Sequence, residues 1–425
     1  MTPRLPSKRE EWEARLERAS AYALYLHVPF CVQKCAYCDF ASWATCRGDP
    51  LLAAYADSIV RQVEEAEALG LLDGTETGYI GGGTPTLLGA DALGRVVRRV
   101  SSLGLSELSC EANPDSLSDE VLDALVAEGA TRVSVGVQSL DDDELRQLGR
   151  LHDSSDAIDR VAAAVARGLD VSCDLMCATP GQTDTSSRAT LNKTLMLGIC
   201  HASVYPLMIE EGTAFERRFE NDPCEWNSDE VQARRMEMSQ VLLERHGFNR
   251  YEVASSCLPG KECNHNIAYW SGQPYLGLGT QASSMLTLKG YLRLCEACPA
   301  LAAAPSQASR ARLTVMNSRE EIARDARLSS LRFSVEFLDA SQAAAEDLML
   351  GARLAAGLCP GLLAHAREVL PDVDDCVAAL VEDGFLAGPA CGGTLAPTQK
   401  GWLLGNELYG RLWDLAPGEV VSFAP

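Results

Sequence analysis

Three cysteines, Cys31, Cys35 and Cys38, stand in C-x3-C-x2-C spacing within YLHVPFCVQKCAYCDF, residues 25–40. They follow an apolar run directly and are surrounded by Phe30, Tyr37 and Phe40. Thiolates this close together, among aromatics, suit a cluster that must be shielded from bulk water. An iron–sulfur cubane takes cysteine thiolates, normally four, so three leave one iron open to a small molecule. The competing reading is three buried thiols acting as small hydrophobes.

Other residues with chemical capacity recur after apolar runs. Gly81-Gly82-Gly83-Thr84-Pro85 follows one such run, and glycines let a backbone approach a ligand closely. Glu111 in SCEANP, Gln138 in VGVQSL and Asp174 in CDLM are each read as a polar residue ending an apolar strand. Any one alone is an ordinary strand end; three at successive strands point to a site. Arg150 and His152 lie in LRQLGRLHD, where a solvated helix end is the plain alternative. Tyr25 and His27 are two residues apart, so in an extended segment they face the same side. His265 lies in HNIAYW; a neutral imidazole is a good axial haem ligand, and flanking aromatics can stack on a porphyrin. Cys295-x-x-Cys298 is at most half a zinc site, and Cys257 and Cys263 read as isolated buried cysteines.

The elements that must position these residues alternate. Strand-like runs at 23–28, 77–80, 107–111, 132–137, 171–176 and 201–205 are separated by helical stretches such as 51–69 and 184–197. This alternation implies a parallel sheet with right-handed crossovers. Six units are too few for a closed eight-fold barrel, so the expected core is a partial barrel with its chemistry at the C-terminal strand ends. A short helix is expected over 10–19 and another over 229–244, with 248–284 irregular and 299–312 a surface loop. The expected organisation is an N-terminal extension (1–20), a barrel with its irregular extension (21–290), a linker and bridging segment (291–340) and a C-terminal helical, winged-helix-like module (341–425).

Composition excludes several functions. A net charge of -22 argues against sequence-independent nucleic-acid binding. The C-terminal module, with 11 acidic residues against 4 basic ones, is no better suited to phosphates and reads as a packing or lid element. The sixteen cysteines are scattered, and there is neither a secretory signal pattern nor a run of apolar residues long enough to span a membrane. A protein of the reducing cytoplasm is expected.

The motifs YLHVPFCVQKCAYCDF, YIGGGTPTLL, SCEANPDSL, RVSVGVQSLDDDELRQLGRLHD, PGQT (180–183) and HNIAYW (265–270) resemble the HemN/HemW family of radical S-adenosylmethionine (SAM) proteins over nearly the whole chain. The family comprises oxygen-independent coproporphyrinogen III oxidases and haem chaperones. The resemblance implies a partial (β/α)6 barrel with a C-terminal helical domain, and a [4Fe–4S] cluster on Cys31, Cys35 and Cys38. It also implies SAM contacts from Tyr25, Gly83, Thr84, Glu111, Gln138, Arg150 and Asp174. Phe40 stands where the oxidases carry a further cysteine, and HNIAYW is similar to the HNxxYW motif of the chaperones. The expected function is therefore haem binding, with His265 as ligand, and transfer to acceptor proteins, alongside an electron donor for the cluster. SAM-dependent decarboxylation of coproporphyrinogen III, or radical chemistry on another substrate, is the alternative. Two runs depart from the family pattern. Residues 277–284 read GLGTQASS instead of a GxGxGAHS-like run, and Cys177-Ala178-Thr179 replaces YGL or HGL before PGQT.

Overall fold

In the computed structural model, residues 14, 17–325, 327–389, 393–418 and 420–424 are described. The helix expected over 10–19 falls largely outside them. Six parallel strands run in sequence order: β1 (Ala23–Val28), β2 (Thr77–Gly82), β3 (Glu107–Ala112), β4 (Arg132–Gln138), β5 (Asp170–Cys177) and β6 (His201–Pro206). All six expected strands are present, to within one or two residues at each end. Their order is β1-β2-β3-β4-β5-β6, each crossover carrying helix, and the sheet does not close on itself. The chain thus forms the open, partial barrel expected.

Alternation along each strand separates core from cavity. Leu24, Leu26 and Val28 enter the main apolar core, with Tyr55, Ile59 and Val63 of the helix Pro50–Ala68. Tyr25 and His27, between them, face a cavity. The helices are specified locally. Asp49 caps the first, ahead of a proline at its first position, and Asp153 and Thr183 form capping boxes for Ser154–Ala166 and Asp184–Leu195.

Two stretches, one read as irregular and one as a linker and bridging segment, extend the sheet. Within 248–284 lie β7 (Asn249–Arg250), β8 (Ser255–Cys257), the helix Asn264–Trp270, β9 (Tyr275–Leu278) and the start of β10 (Ser283–Thr287). β9 is a seventh parallel strand, paired with β1 on the side away from β2. Its four residues, YLGL, are too short to show a period among neighbouring glycines and polar residues. The bridging segment 291–340 contributes β11 (Arg310–Val315) and β12 (Phe333–Leu338), both antiparallel additions to the same sheet. Within the run read as a surface loop, residues 310–312 already belong to β11.

Beyond residue 339 the chain builds a second apolar cluster from helices Ala340–Gly351, Pro360–Val369, Val373–Glu382 and Gly405–Trp413. A two-stranded pairing of Leu386–Ala387 with Ala396–Pro397 supplies the wing-like feature. This module is tied down at several points. Arg310 is fully buried, 2.6 Å from Glu346 and 2.7 Å from Asp347, and Arg312 lies 3.0 Å from Glu346. Trp402 Nε1 donates to Val253 O at 2.8 Å, and β13 (Val421–Phe423) pairs with β12. A buried guanidinium between two carboxylates makes the module a fixed wall, since separation would strand charges away from water. Glu346→Ala leaves Arg310 and Arg312 undercompensated and is expected to cost roughly 3–5 kcal/mol in chemical denaturation. A loss below about 1 kcal/mol would refute this view of the docking.

Candidate functional site

The cysteine loop leaves β1 and is held from three sides. Phe30–Cys31 pairs in parallel with Trp43–Ala44, Gly83 N and Thr84 N donate to Val28 O and Phe30 O, and Ala36 N donates to Leu148 O. This packing requires the glycines of GGGTP, and Gly82 and Gly83 also line the cysteine cavity. A Cβ on Gly83 would lie 2.7 Å from Phe30 O, one on Gly82 2.4 Å from the His27 ring, and one on Gly81 2.9 Å from the Glu111 carboxyl carbon. Gly82 N also donates to Glu111 Oε2 at 2.9 Å.

Cys31, Cys35 and Cys38, all partly buried, line one cavity of about 280 Å³ with Gly83, Glu111, Gln138, Arg150 and Asp174. Thr84 Oγ1 donates to Cys31 Sγ, and Arg150 Nη1 to Cys35 Sγ, each at 3.5 Å. Burial raises the Cys31 and Cys38 thiols, so each needs a nearby cation to ionise. Among the described residues, no three His, Cys, Asp or Glu side chains converge on a single metal position. Three thiols around one cavity, each serving a different iron, fit a cubane better than one ion. Arg150 is enclosed, with Nη2 donating to Asn113 Oδ1 at 2.8 Å and Gly136 O at 2.7 Å. Its charge faces sulfur and neutral oxygens, and neighbouring anionic groups hold its pKa above the ordinary value. A thiolate-ligated cluster or a ligand carboxylate would complete such a place.

Glu111 and Asp174 form the acidic side. Glu111 accepts from Tyr79 Oη at 2.9 Å, and Asp174 from Ser134 Oγ at 3.1 Å to each oxygen. Burial raises Glu111 to about 7 and Asp174 to about 6; the Asp174 charge raises Glu111 further, while Ser203, Ser134 and the cations Arg132 and Arg150 hold Asp174 back. Asp174 sits inside β5, three residues before its end, not at the strand terminus as expected; alternation brings it inward all the same. Gln138 does end β4, with φ at 66° beside a register shift, and its Oε1 accepts from Tyr205 Oη at 3.2 Å. Sequence reasoning passed over Asn113, which joins Thr84 Oγ1 (2.9 Å) to Arg150. The residue was visible in SCEANP, two after Glu111, but it lies beyond the strand in the turn before Pro114, where a polar residue is ordinary.

Tyr25 and His265 lie elsewhere. With His27, Tyr79, Tyr269, Tyr275 and Asn266 they line a second cavity of about 400 Å³, rimmed by exposed Gln281 and Ser283. Among the candidate residues, Glu111 alone lines both cavities. His27 bridges Tyr25 Oη (2.9 Å) and Ala41 O (2.8 Å). His265 stacks on Tyr79 at 5.0 Å, with Nδ1 3.0 Å from Thr77 Oγ1 and Nε2 2.9 Å from Tyr269 Oη. In this conformation neither His265 nitrogen is free for an iron, and burial lowers its pKa to about 3, which keeps it neutral. Its helix is capped from a distance: Glu107, at the start of β3, accepts from Asn264 N, His265 N and Cys263 Sγ. His152 lines neither cavity; its Nε2 lies 3.3 Å from Val137 O, beneath the Gln138 turn.

The Radical SAM superfamily profile matches residues 25–193. The heme chaperone HemW of Mycobacterium tuberculosis is 32% identical over 397 residues, covering 92% of this chain and 94% of that protein. The chain belongs to the HemW family. HemW of Lactococcus lactis is 35% identical over 288 residues, 67% of this chain and 74% of its own. Coproporphyrinogen III oxidase (HemN) of Escherichia coli, a radical SAM enzyme, superposes with a TM-score of 0.71 at 19% identity, covering 96% of this chain and 93% of its own. That likeness shows the fold.

Within the HemW family pattern the two departures share a physical feature. Ala178 (φ 55°) and Gln281 (φ 59°) both hold the left-handed backbone that glycine adopts without cost. Gln281→Gly is expected to stabilise the protein by roughly 0.5–1 kcal/mol, since the relief of left-handed strain exceeds glycine's entropy cost. Unchanged or lower stability would contradict it.

Glu111 and Asp174 predict a pH response. Both carboxyls hold protons more tightly folded than unfolded. The stability they contribute is complete below their ordinary values of 4.5 and 3.8 and is lost as pH rises through about 6 to 7. The unfolding midpoint of ligand-free protein should fall across that window, and less so in Glu111→Gln. A cationic ligand should bind more tightly as pH rises through the same range, because it favours the ionised carboxyls. An affinity independent of pH would refute the assignment.

Proposed function

We infer that the protein is a haem chaperone that carries a [4Fe–4S] cluster and SAM beside its cargo and hands haem to acceptor proteins. The observation carrying this reading is the convergence of Cys31, Cys35 and Cys38 with Gly83, Glu111, Gln138, Arg150 and Asp174 around one cavity, in a chain of the HemW family. In this proposal the three thiolates hold the cubane, and Arg150 and Thr84 direct hydrogen bonds at the sulfurs of Cys35 and Cys31. Glu111 and Asp174 face the cationic part of SAM, and Gln138 and Asn113 shape the wall. The cluster, when bound, supplies a one-electron couple to the open-iron ligand. Tyr25 lies in the second cavity, so it acts there or through Glu111.

That second cavity is the proposed haem site. Four tyrosines, stacked His265 and an open polar rim suit a planar aromatic macrocycle with its edge toward solvent. Phe40, 62% exposed at the mouth of the cysteine cavity, stands where the oxidases of the resemblance have their extra cysteine. No helix among the described residues is long and apolar enough to cross a membrane. Delivery to acceptors in the cytoplasm, with a separate protein reducing the cluster, completes the proposal.

The deciding experiment is anaerobic. Reconstituted protein is given SAM and coproporphyrinogen III while a parallel sample is titrated with haem. Haem binding without formation of protoporphyrinogen is expected; turnover without haem binding would make the oxidase the better reading. Reconstitution should give about four irons per chain. Cys35→Ala should abolish the cluster's absorption and Cys46→Ala, at an exposed thiol outside the cavity, should not. Glu111→Ala should retain iron but raise the SAM dissociation constant about ten- to hundredfold, the effect of losing one charge-assisted contact of roughly 1.5–3 kcal/mol.

A further inference from the structure

We propose that the protein ligand to haem iron is the Tyr269 phenolate, with His265 acting as a hydrogen-bond donor to it. This rests on the haem-chaperone reading above and names the iron-binding residue of that same site.

The argument starts from the hydrogen bonds of the second cavity. Both histidines lining it have both ring nitrogens engaged. His27 faces Ala41 O, an acceptor, at Nε2, so that nitrogen carries the hydrogen and Nδ1 accepts from Tyr25 Oη. Tyr25 is thereby a donor whose proton is committed. Tyr79 is likewise committed, donating to Glu111 Oε1. Tyr275 lines the same cavity beside Tyr269, but among the described residues no imidazole is hydrogen-bonded to its hydroxyl. Tyr269 differs because its partner can reverse roles. Thr77 Oγ1, 3.0 Å from His265 Nδ1, can supply a hydrogen to that nitrogen, and Nε2–H then donates to Tyr269 Oη at 2.9 Å. The Tyr269 oxygen keeps lone pairs directed elsewhere, and its own proton is not required by His265.

The chemistry follows. When ferric haem enters, the Tyr269 O–H bond breaks, the proton passes to solvent at the open rim, and the oxygen's electron pair forms the Fe–O bond. No electron is transferred. Tyrosinate is an established haem ligand type, and a neutral imidazole N–H aimed at the phenolate oxygen offsets its negative charge in a buried place. The stack of Tyr79 on His265 and the contact of Tyr269 with Tyr275, ring centroids 4.4 Å apart, fix both partners. His265 as the direct ligand would have to give up its Thr77 or Tyr269 contact and turn within a helix held by Glu107.

Full-length protein is titrated with ferric haem and examined by electronic absorption, electron paramagnetic resonance and resonance Raman spectroscopy. Wild type should give a high-spin ferric, phenolate-ligated signature. Tyr269→Phe, which keeps the ring and its packing, should lose that signature and bind haem at least tenfold more weakly. Tyr275→Phe should leave the signature in place, and His265→Gln should keep phenolate ligation with a shifted iron–oxygen mode. Circular dichroism confirms that each variant is folded. A histidine-type low-spin spectrum in wild type that survives Tyr269→Phe and disappears in His265→Gln would overturn the proposal and leave the chaperone reading intact. Failure of wild type to bind haem would instead defeat the chaperone reading, and this assignment with it.

Discussion

The arrangement around the cysteine cavity depends on one buried charge. Arg150 brings a guanidinium among Cys35 Sγ, Asn113 Oδ1 and Gly136 O, with no carboxylate of the described residues in direct contact. Desolvating a cation costs several kcal/mol unless charge and hydrogen bonds compensate for it. Here the compensation is spread over a sulfur, an amide and a peptide carbonyl from three different segments. The side chain therefore sets how the cysteine loop sits on the ends of β3 and β4, and its remaining demand for negative charge tunes the cavity to thiolates and anionic ligand groups. Glu111 and Asp174 supply the opposite pole across the same space. Burial raises both, so a cation placed between them would favour their ionised forms.

Much of this was legible from residue types. Short apolar strands buried on both faces, alternating with helices that carry side-chain caps, produce strong local signals, which is why six strands and the flanking helices were found nearly to the residue. The cysteine triad, Glu111, Gln138, Arg150 and Asp174 were legible because polar or sulfur-bearing side chains next to apolar runs are conspicuous. Part of what escaped was set by distant partners. β9 is too short to show a period, whereas β11 (RARLTV) and β12 (FSVEFL) alternate polar and apolar residues and carry a period-two signal that the reading of this stretch as a linker passed over. Asn113 acquires its role only when Thr84 and Arg150 meet it. The separation of Tyr25 and His265 from the cysteines into a different cavity depends on which face of β1 points where, and on a helix capped by Glu107 from far along the chain.

The histidines illustrate the limit most clearly. His265 reads as a ligand in sequence because a histidine between aromatics is chemically versatile. In the fold its versatility is already used, with Thr77 on one nitrogen and Tyr269 on the other. Saturation of this kind cannot be seen from spacing. The neutral imidazole is shared between Thr77 and Tyr269, one on each nitrogen.

β3 carries Glu107 near its start and Glu111 four residues later, on the same face. The first anchors the helix bearing His265 and Tyr269, and the second forms a wall common to both cavities. At about 3.3 Å per residue the strand is a ruler of roughly 13 Å between the two carboxylates. Neither cavity can drift along the barrel without the other, because a slip of one residue would turn both glutamates into the helical layer together. Such a gauge tolerates wide variation in the surrounding loops while forbidding a single insertion or deletion within Glu107–Ala112, and it gives two chemically distinct chambers one common origin of measurement.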